Sequence, residues 1–228
     1  MSCSIAIVSF VSFSLCLHMI PLTSFCIYSF IFISLSGHGT HCAGTIGAIG
    51  NNEIGVTSVN PDPTKFQFFV GKGLSNSGSG SNANVVKAVE ACVNAGAKVI
   101  SMSLGGSGYS SVTDAFYKDQ YDKGGELAFT VVHPSSLSHL TNTKSLSLLP
   151  SVLVIAAAGN SGRDSWGYPA GYPAVVSVGS VMSSRSLSSF STRNDQVEVT
   201  APGHYVLSTH KNNGYTTMSG TSMVRLLL

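Results

Sequence analysis

The stretch VLVIAAAGN at residues 152–160 decides the fold class of this sequence. An unbroken apolar run of this length is typical of a strand buried on both faces, and the Gly159-Asn160 pair predicts a turn at its end. Similar runs are KVISMSL at 98–104 and AVVSVGSV at 174–181. Because continuous apolar strands belong to parallel sheets covered by helices, the sequence predicts an α/β domain.

A helix is predicted just before the run at 98–104. Apolar residues recur at helical spacing over residues 82–95. Ser81 or Asn82 can cap its N-terminus, and Gly96 stands where a helix-ending glycine belongs. Two further segments are predicted from composition, a loop at 75–81 and a short strand at 66–70.

Composition narrows the class of protein. The 228 residues are 43% hydrophobic and 10% charged, with a net charge of +2. A disordered chain would be less apolar and carry more net charge, and a nucleic-acid-binding protein would show a basic run or patch. The chain is therefore expected to be one globular domain that does not bind nucleic acid. Cys42 and Cys92 are expected to be buried thiols, since no spacing pattern pairs them.

Two stretches differ in composition from the rest of the chain. Residues 1–36 are almost wholly apolar or serine, without the cationic start of a signal peptide and too interrupted by serine for a membrane span. A secretory or membrane signal and a misread gene start both remain open for this segment. Residues 133–151 are rich in serine and leucine, and they predict a surface insertion at about 127–151.

Three short islands hold residues suited to chemistry. GHGTHCAGT at 37–45 contains two histidines three residues apart, which fit zinc ligands or structural histidines, although no third ligand stands at zinc spacing. AAAGNSG at 156–162 places an Asn amide beyond a strand end, where it can donate to a developing oxyanion. SGTSM at 219–223 places a serine at a predicted helix start, where free N–H groups favour negative charge.

Together, in the order His, Asn, Ser, these islands resemble the signatures of the subtilisin-like serine protease (subtilase) family, nearest to the proteinase K and subtilisin types. The resemblance covers about residues 37–126 and 152–223. It implies a three-layer α/β fold, a parallel sheet with helices on both faces, incomplete at both ends. The implied organisation is an apolar N-terminal segment at 1–36 and a partial peptidase domain at 37–228.

The resemblance also implies a serine endopeptidase that cleaves peptide bonds through an acyl-enzyme. His38 would be the general base, Ser222 the nucleophile and Asn160 the side-chain donor of the oxyanion hole. The residues expected to line the substrate pocket are Ser103, Leu104, Gly105, Ala157, Ala158 and Gly159. The implied partners are protein or peptide substrates of a monomer, with a membrane only if residues 1–36 are a real anchor. The implied location is extracellular or in the secretory pathway.

No cofactor is implied for the chemistry, but NNEIGV at 51–56 is similar to the family's calcium-binding loop. The resemblance implies a structural Ca²⁺ held by the carbonyls of Gly50, Ile54 and Val56 and by the side chain of Asn52. Calcium takes about six to eight oxygen ligands, so other segments would have to complete the site.

Two departures from the family pattern support a competing interpretation. The family's third triad member is an Asp that precedes the HGTH histidine, and here no acid stands before Glu53. The acids that could take its place are Asp62, Asp114 and Asp195. The sequence after Ser222 is also shorter than the family's long buried helix. The alternative function is therefore a non-catalytic pseudoprotease that binds peptides.

Overall fold

The computed structural model describes residues 25–26, 37–65, 67–122 and 152–224. The N-terminal segment, apart from residues 25–26, and the insertion expected at about 127–151 lie outside the described residues. The expectations for these two segments therefore stay predictions.

A five-stranded sheet forms the centre of the structure. Its strands are β1 Phe25–Cys26, β2 Val99–Met102, β3 Leu153–Ala157, β4 Val176–Val181 and β5 Val197–Pro202, in the spatial order β1-β2-β3-β4-β5. All four neighbouring pairs are parallel; for example, Ile100 lies opposite Val154. The three strands predicted from apolar runs are β2, β3 and β4, which confirms the predicted α/β class.

Helices cover both faces of this sheet. Helix α1 is His38–Gly47, α2 is Asn82–Asn94, α3 is Ser111–Asp122 and α4 is Thr221–Val224. Along β3, Val154 and Ala156 pack in the same core as buried residues of α2 and α3, whereas Ile155 packs with Val224 of α4. Since successive side chains of a strand point to opposite faces, α4 lies on the other face from α2 and α3. The predicted three-layer arrangement is confirmed.

The ends of α2 follow the predicted signals. The Ser81 hydroxyl accepts a hydrogen bond from the Asn84 N–H at 3.2 Å, so Ser81 is the N-cap. Gly96 has a φ of +87°, in the left-handed region that glycine adopts without strain, and its N–H donates to the Val93 carbonyl.

A β-hairpin lies against α1 beside the sheet. Its strands are β6 Val206–His210 and β7 Gly214–Met218, paired antiparallel. The Ser208 hydroxyl donates to the His41 carbonyl, and the Thr209 hydroxyl donates to the Thr40 carbonyl, both at 2.8 Å. Gly44 permits this contact, because a side chain there would collide with Thr209 and Ser208.

The strand predicted at residues 66–70 is wrong. Residues 67–70 belong to no strand, and Phe69 and Val70 are 41% and 48% exposed. Phe68 instead packs its side chain on a small core formed by Cys42, Ile46 and Met223. A short apolar run indicates burial, but a strand also needs a neighbouring strand with free backbone groups.

Among the described residues, no helix is both long enough and apolar enough to cross a membrane.

Replacing Ser81 with alanine removes the cap of α2. We expect the free energy of unfolding to fall by about 1 kcal/mol, the usual effect of losing a serine cap. Urea denaturation of the two proteins measures this difference. The matched control is Ser81→Asn, which keeps a capping oxygen and should retain the stability of the parent chain; equal losses in both variants would contradict the assignment.

Candidate active site

A cleft of about 390 Å³ opens beyond the carboxyl ends of β2 and β3. Its walls come from residues 103–107, 157–161 and 165–167, together with Thr192 and the first two residues of α4. All six residues expected to form the substrate pocket line this cleft: Ser103, Leu104, Gly105, Ala157, Ala158 and Gly159. Asn160 and Ser222 line it as well, so the structure brings these predicted site residues together.

The Asn160 side chain is held in one orientation by Thr221. Its Oδ1 atom accepts hydrogen bonds from the Thr221 N–H at 2.9 Å and from the Thr221 hydroxyl at 3.0 Å. The same hydroxyl oxygen accepts a hydrogen bond from the Gly159 N–H at 3.1 Å. Because Oδ1 is occupied as an acceptor, the amide nitrogen is the end of Asn160 that can donate to a group bound in the cleft.

Ser222 is fixed through its own backbone carbonyl. That oxygen accepts a hydrogen bond from the Ser103 hydroxyl at 3.1 Å and lies 3.7 Å from the Cys42 sulfur. The Ser103 hydroxyl and the Cys42 sulfur are 3.4 Å apart, and both residues are buried. The backbone of Ser222, which lines the cleft, is therefore held by contacts with Ser103 and with α1.

His38 is the first residue of α1, and the Cys42 sulfur lies between its ring and the Ser222 carbonyl. Its Nε2 atom is 4.0 Å from the Cys42 sulfur, the same atom that touches the Ser222 carbonyl. Gly37 precedes it with a φ of +69°, and the His210 ring packs so closely on Gly37 that a side chain there would collide with it. His38 is not among the residues that line the cleft, but it adjoins Ser222 across one sulfur atom.

His41 has a structural position. Its side chain is fully buried, and its Nε2 atom lies 3.0 Å from the Val206 carbonyl oxygen, to which it donates. Burial lowers the pKa of His41 below its ordinary value of 6.5, because an imidazolium would lose its hydration there. Within the described residues, no three His, Cys, Asp or Glu residues are grouped to hold a metal.

The three acids that could replace the triad Asp have no described contact with His38. The Asp62 carboxylate accepts hydrogen bonds from Thr64, and the Asp114 carboxylate accepts one from the Tyr109 hydroxyl at 2.9 Å. Asp195 is exposed in the turn before β5. None of these three described carboxylates bonds to His38.

The residues expected to bind calcium share one loop. Gly50, Asn52, Ile54 and Val56 line a hollow of about 210 Å³. The Asn52 Oδ1 atom already accepts a hydrogen bond from the Ile54 N–H at 3.1 Å. Three carbonyls and one amide oxygen are fewer than the roughly six that calcium needs, so these four residues alone do not form a calcium site.

Two contributors to the site were missed by sequence reasoning. Cys42 was expected to be only a buried thiol, and it is the contact between α1, Ser103 and Ser222. Thr221 was not singled out, although its hydroxyl sets the Asn160 amide. Only its position directly before Ser222 in the sequence could have indicated a role for Thr221 in the site.

The expectation that Cys92 is a thiol is wrong, because Cys92 is disulfide-bonded.

Replacing Thr221 with valine keeps the shape of the side chain and removes its hydroxyl. We expect a loss of about 1–3 kcal/mol in the free energy of unfolding, because the Gly159 N–H loses its acceptor in a buried region. Thermal or urea unfolding measures the loss. Thr221→Ser keeps the hydroxyl and should recover most of the stability, and a serine variant as unstable as the valine variant would argue against the hydroxyl.

Acidification should destabilise the chain through His41. Since burial lowers its pKa in the folded state, the unfolded chain binds the proton more readily. The contribution of the neutral ring is therefore complete above about pH 6.5 and is lost as the pH falls through the folded-state pKa. Urea unfolding at pH 7.5 and 5.5 tests this: His41→Gln, which can still donate to Val206, should show a smaller pH dependence. The parent chain is the reference, and an unchanged slope in His41→Gln would exclude His41 as the cause.

Comparison with known proteins places this chain in a family. The model of the subtilase family, peptidase family S8, matches residues 33–224. The chain is 36% identical over 192 residues to subtilisin DY of Bacillus licheniformis, covering 82% of this chain and 59% of that protein. It is 35% identical over 188 residues to thermitase of Thermoactinomyces vulgaris, covering 82% and 57% respectively.

A solved structure agrees with this placement. The crystal structure of the psychrophilic subtilisin-like protease Apa1 from Pseudoalteromonas sp. AS-11 superimposes with a TM-score of 0.60 at 38% identity, covering 76% of this chain and 33% of that chain. The chain spans about half the length of the curated relatives it matches. The family predicted from the three islands is confirmed: the chain belongs to the subtilases, the subtilisin-like serine proteases.

Proposed function

We propose that this chain is a serine endopeptidase that hydrolyses peptide bonds through an acyl-enzyme on Ser222, with His38 as general base and Asn160 as oxyanion donor. One observation carries the proposal. The Asn160 amide is oriented by Thr221, the residue directly before Ser222, so the donor and the nucleophile are coupled at one end of the cleft. Membership of the subtilase family supports the same roles.

The first half of the reaction forms the acyl-enzyme. A serine hydroxyl is a weak nucleophile, so His38 takes the Ser222 proton while the Ser222 oxygen bonds to the substrate carbonyl carbon. The carbonyl oxygen becomes negative and receives hydrogen bonds from the Asn160 amide and the Ser222 backbone N–H. His38 then passes the proton to the amide nitrogen, the C–N bond breaks and the amine product leaves.

The second half hydrolyses the ester. His38 takes a proton from a water molecule as the water oxygen bonds to the acyl carbon, and the same two donors receive the new oxyanion. The bond to the Ser222 oxygen then breaks, and His38 returns the proton to that oxygen. The products are an acid and an amine, and the chain returns to its starting state.

The walls of the cleft suit an extended peptide. Small residues at 103–107 and 157–161 leave their backbone groups within reach of the cleft. A peptide main chain can pair with such backbone as an added strand, with Ser103, Leu104 and Gly105 on one side and Ala157, Ala158 and Gly159 on the other. Proteins or peptides are therefore the proposed substrates.

A second candidate function is a pseudoprotease that binds peptides without cleaving them. It is favoured by the surroundings of Asp62, Asp114 and Asp195, none of which bonds to His38. The triad carboxylate of the family holds the histidine in its productive tautomer and stabilises imidazolium, and none of these three acids does so here. The two functions share the cleft and differ only in turnover.

We propose an extracellular or secretory location for this protein. Disulfides form and persist in oxidising compartments, and Cys92 is disulfide-bonded. One relative that is 34% identical, from Paenibacillus polymyxa, is named an intracellular serine protease, so family membership alone does not fix the compartment. Fractionation of the native host with detection of this chain tests the assignment.

A fluorophosphonate probe separates the enzyme from the pseudoprotease. We expect covalent labelling at Ser222 in the full chain, because the probe phosphonylates only a serine whose proton a base can accept, with loss of fluoride. The label should be lost in Ser222→Ala and greatly reduced in His38→Ala. For Asn160→Ala we expect kcat on a peptide substrate to fall about 10²–10³-fold, a magnitude for which subtilisin itself is the reference case.

Ser219→Ala is the matched control, since the Ser219 hydroxyl accepts a hydrogen bond from the Tyr205 N–H and has no assigned role in the chemistry. It should be labelled like the parent chain. Peptide binding without any labelling of the parent chain would establish the pseudoprotease instead.

A further inference from the structure

Thr192 holds the chain on both sides of Asn160. Its backbone N–H donates to the Gly159 carbonyl at 2.9 Å, and its hydroxyl oxygen accepts a hydrogen bond from the Ser161 N–H at 3.1 Å. The Gly159 carbonyl and the Ser161 N–H belong to the two planar peptide groups that flank the Asn160 Cα atom. Because one residue binds both groups, it fixes the two backbone dihedral angles of Asn160.

The approach of Thr192 to this turn depends on a glycine. Gly159 has a φ of +110°, and a Cβ atom added there would lie 2.9 Å from the Thr192 hydroxyl oxygen. A residue with a side chain would therefore be strained at position 159 and would also push the hydroxyl away from Ser161.

The central sheet supports Thr192 in turn. Thr192 and Ser191 are buried, and the Ser191 hydroxyl accepts a hydrogen bond from the Ser180 N–H of β4 at 2.9 Å. The Phe190 carbonyl accepts one from the Gly162 N–H at 2.8 Å. Residues 190–192 therefore connect a buried strand to the turn that carries Asn160.

Thr192 and Thr221 act on different parts of Asn160. Thr221 binds the side-chain Oδ1 atom, whereas Thr192 binds the backbone on either side. An oxyanion donor lowers the barrier only when it is already aimed at the place where the negative charge develops. A side-chain contact sets this aim only if the backbone from which the side chain extends is fixed as well.

We infer that Thr192 is a positioning residue, which sets the backbone of Asn160 so that its amide meets the oxyanion. This inference rests on the proposed function and deepens it by naming a residue that acts through the oxyanion donor. Thr192 also lines the cleft, so a direct contact with the substrate is the competing role that the experiment must separate.

The first measurement compares kcat and KM of the full chain and its Thr192→Val variant. The substrate is the end-blocked peptide anilide that the parent chain turns over fastest. We expect kcat to fall about 10-fold with KM nearly unchanged, since the oxyanion exists only beyond the ground state. Thr192→Ser keeps the hydroxyl and should recover most of the loss. Thermal unfolding checks that each variant folds, and Thr192→Ala replaces the valine variant if that chain does not fold.

A double-mutant cycle with Asn160→Ala then tests whether Thr192 acts through Asn160. Once the amide is gone, its position no longer matters, so Thr192→Val should lower kcat less than about 2-fold in the Asn160→Ala background. The matched control is Thr200→Val, which removes the hydroxyl of an exposed threonine in β5 and should leave kcat and KM unchanged.

The outcomes separate this inference from the proposed function. A rise in KM with kcat unchanged, or an equal fall in kcat with and without the Asn160 amide, overturns the positioning role, while the proposed function stands. An unchanged kcat in both Thr192→Val and Thr192→Ala does the same. If the parent chain turns over no peptide anilide at all, the proposed function fails and the positioning role fails with it.

Discussion

The geometry of the site depends on the carbonyl oxygen of Ser222. The Ser103 hydroxyl donates to it, and the Cys42 sulfur packs beside both atoms. This one buried contact joins α1, the residue after β2 and the start of α4, which are far apart in the chain. Because the three residues pack directly on one another, a change of size at any of them would move the others.

A second contact ties the same region to β3. Thr221 bonds to the Asn160 side chain and to the Gly159 N–H, so α4 is attached to the strand ends on both sides of the cleft. Helix α1 is attached in turn to the hairpin through Ser208 and Thr209. The positions of His38, Asn160 and Ser222 therefore follow from packing between elements, and each is set by a neighbour that has no part in the proposed chemistry.

Much of the sheet could be predicted from the sequence, because its central strands are continuous apolar runs with glycines at their ends. The predicted strands were confirmed as β2, β3 and β4, and Ser81 and Gly96 do cap α2. The run at 66–70 shows the limit of that reasoning, since burial was indicated but pairing was not. The hairpin was missed although Asn212 and Asn213, both with positive φ, form a typical turn before Gly214.

Site residues could be predicted only where they belong to a recognisable sequence motif. The islands around His38, Asn160 and Ser222 gave the family. Asn160 and Ser222 line the cleft together with the six expected lining residues, and the His38 ring lies next to Cys42. The contributions of Cys42 and Thr221 depend on contacts between elements, which neither spacing nor periodicity encodes. The four residues expected to bind calcium do line one hollow, and the further oxygen ligands that calcium needs would come from other segments.

The proposed function depends on acylation of Ser222. Rapid-quench mass spectrometry of the full chain, mixed with an activated ester whose acyl group is slow to leave, tests this directly. We expect one acyl group per chain, mapped to the peptide that contains Ser222 and absent when His38 is replaced by alanine. An unmodified chain, or an acyl group on another residue with Ser222 free, would contradict it.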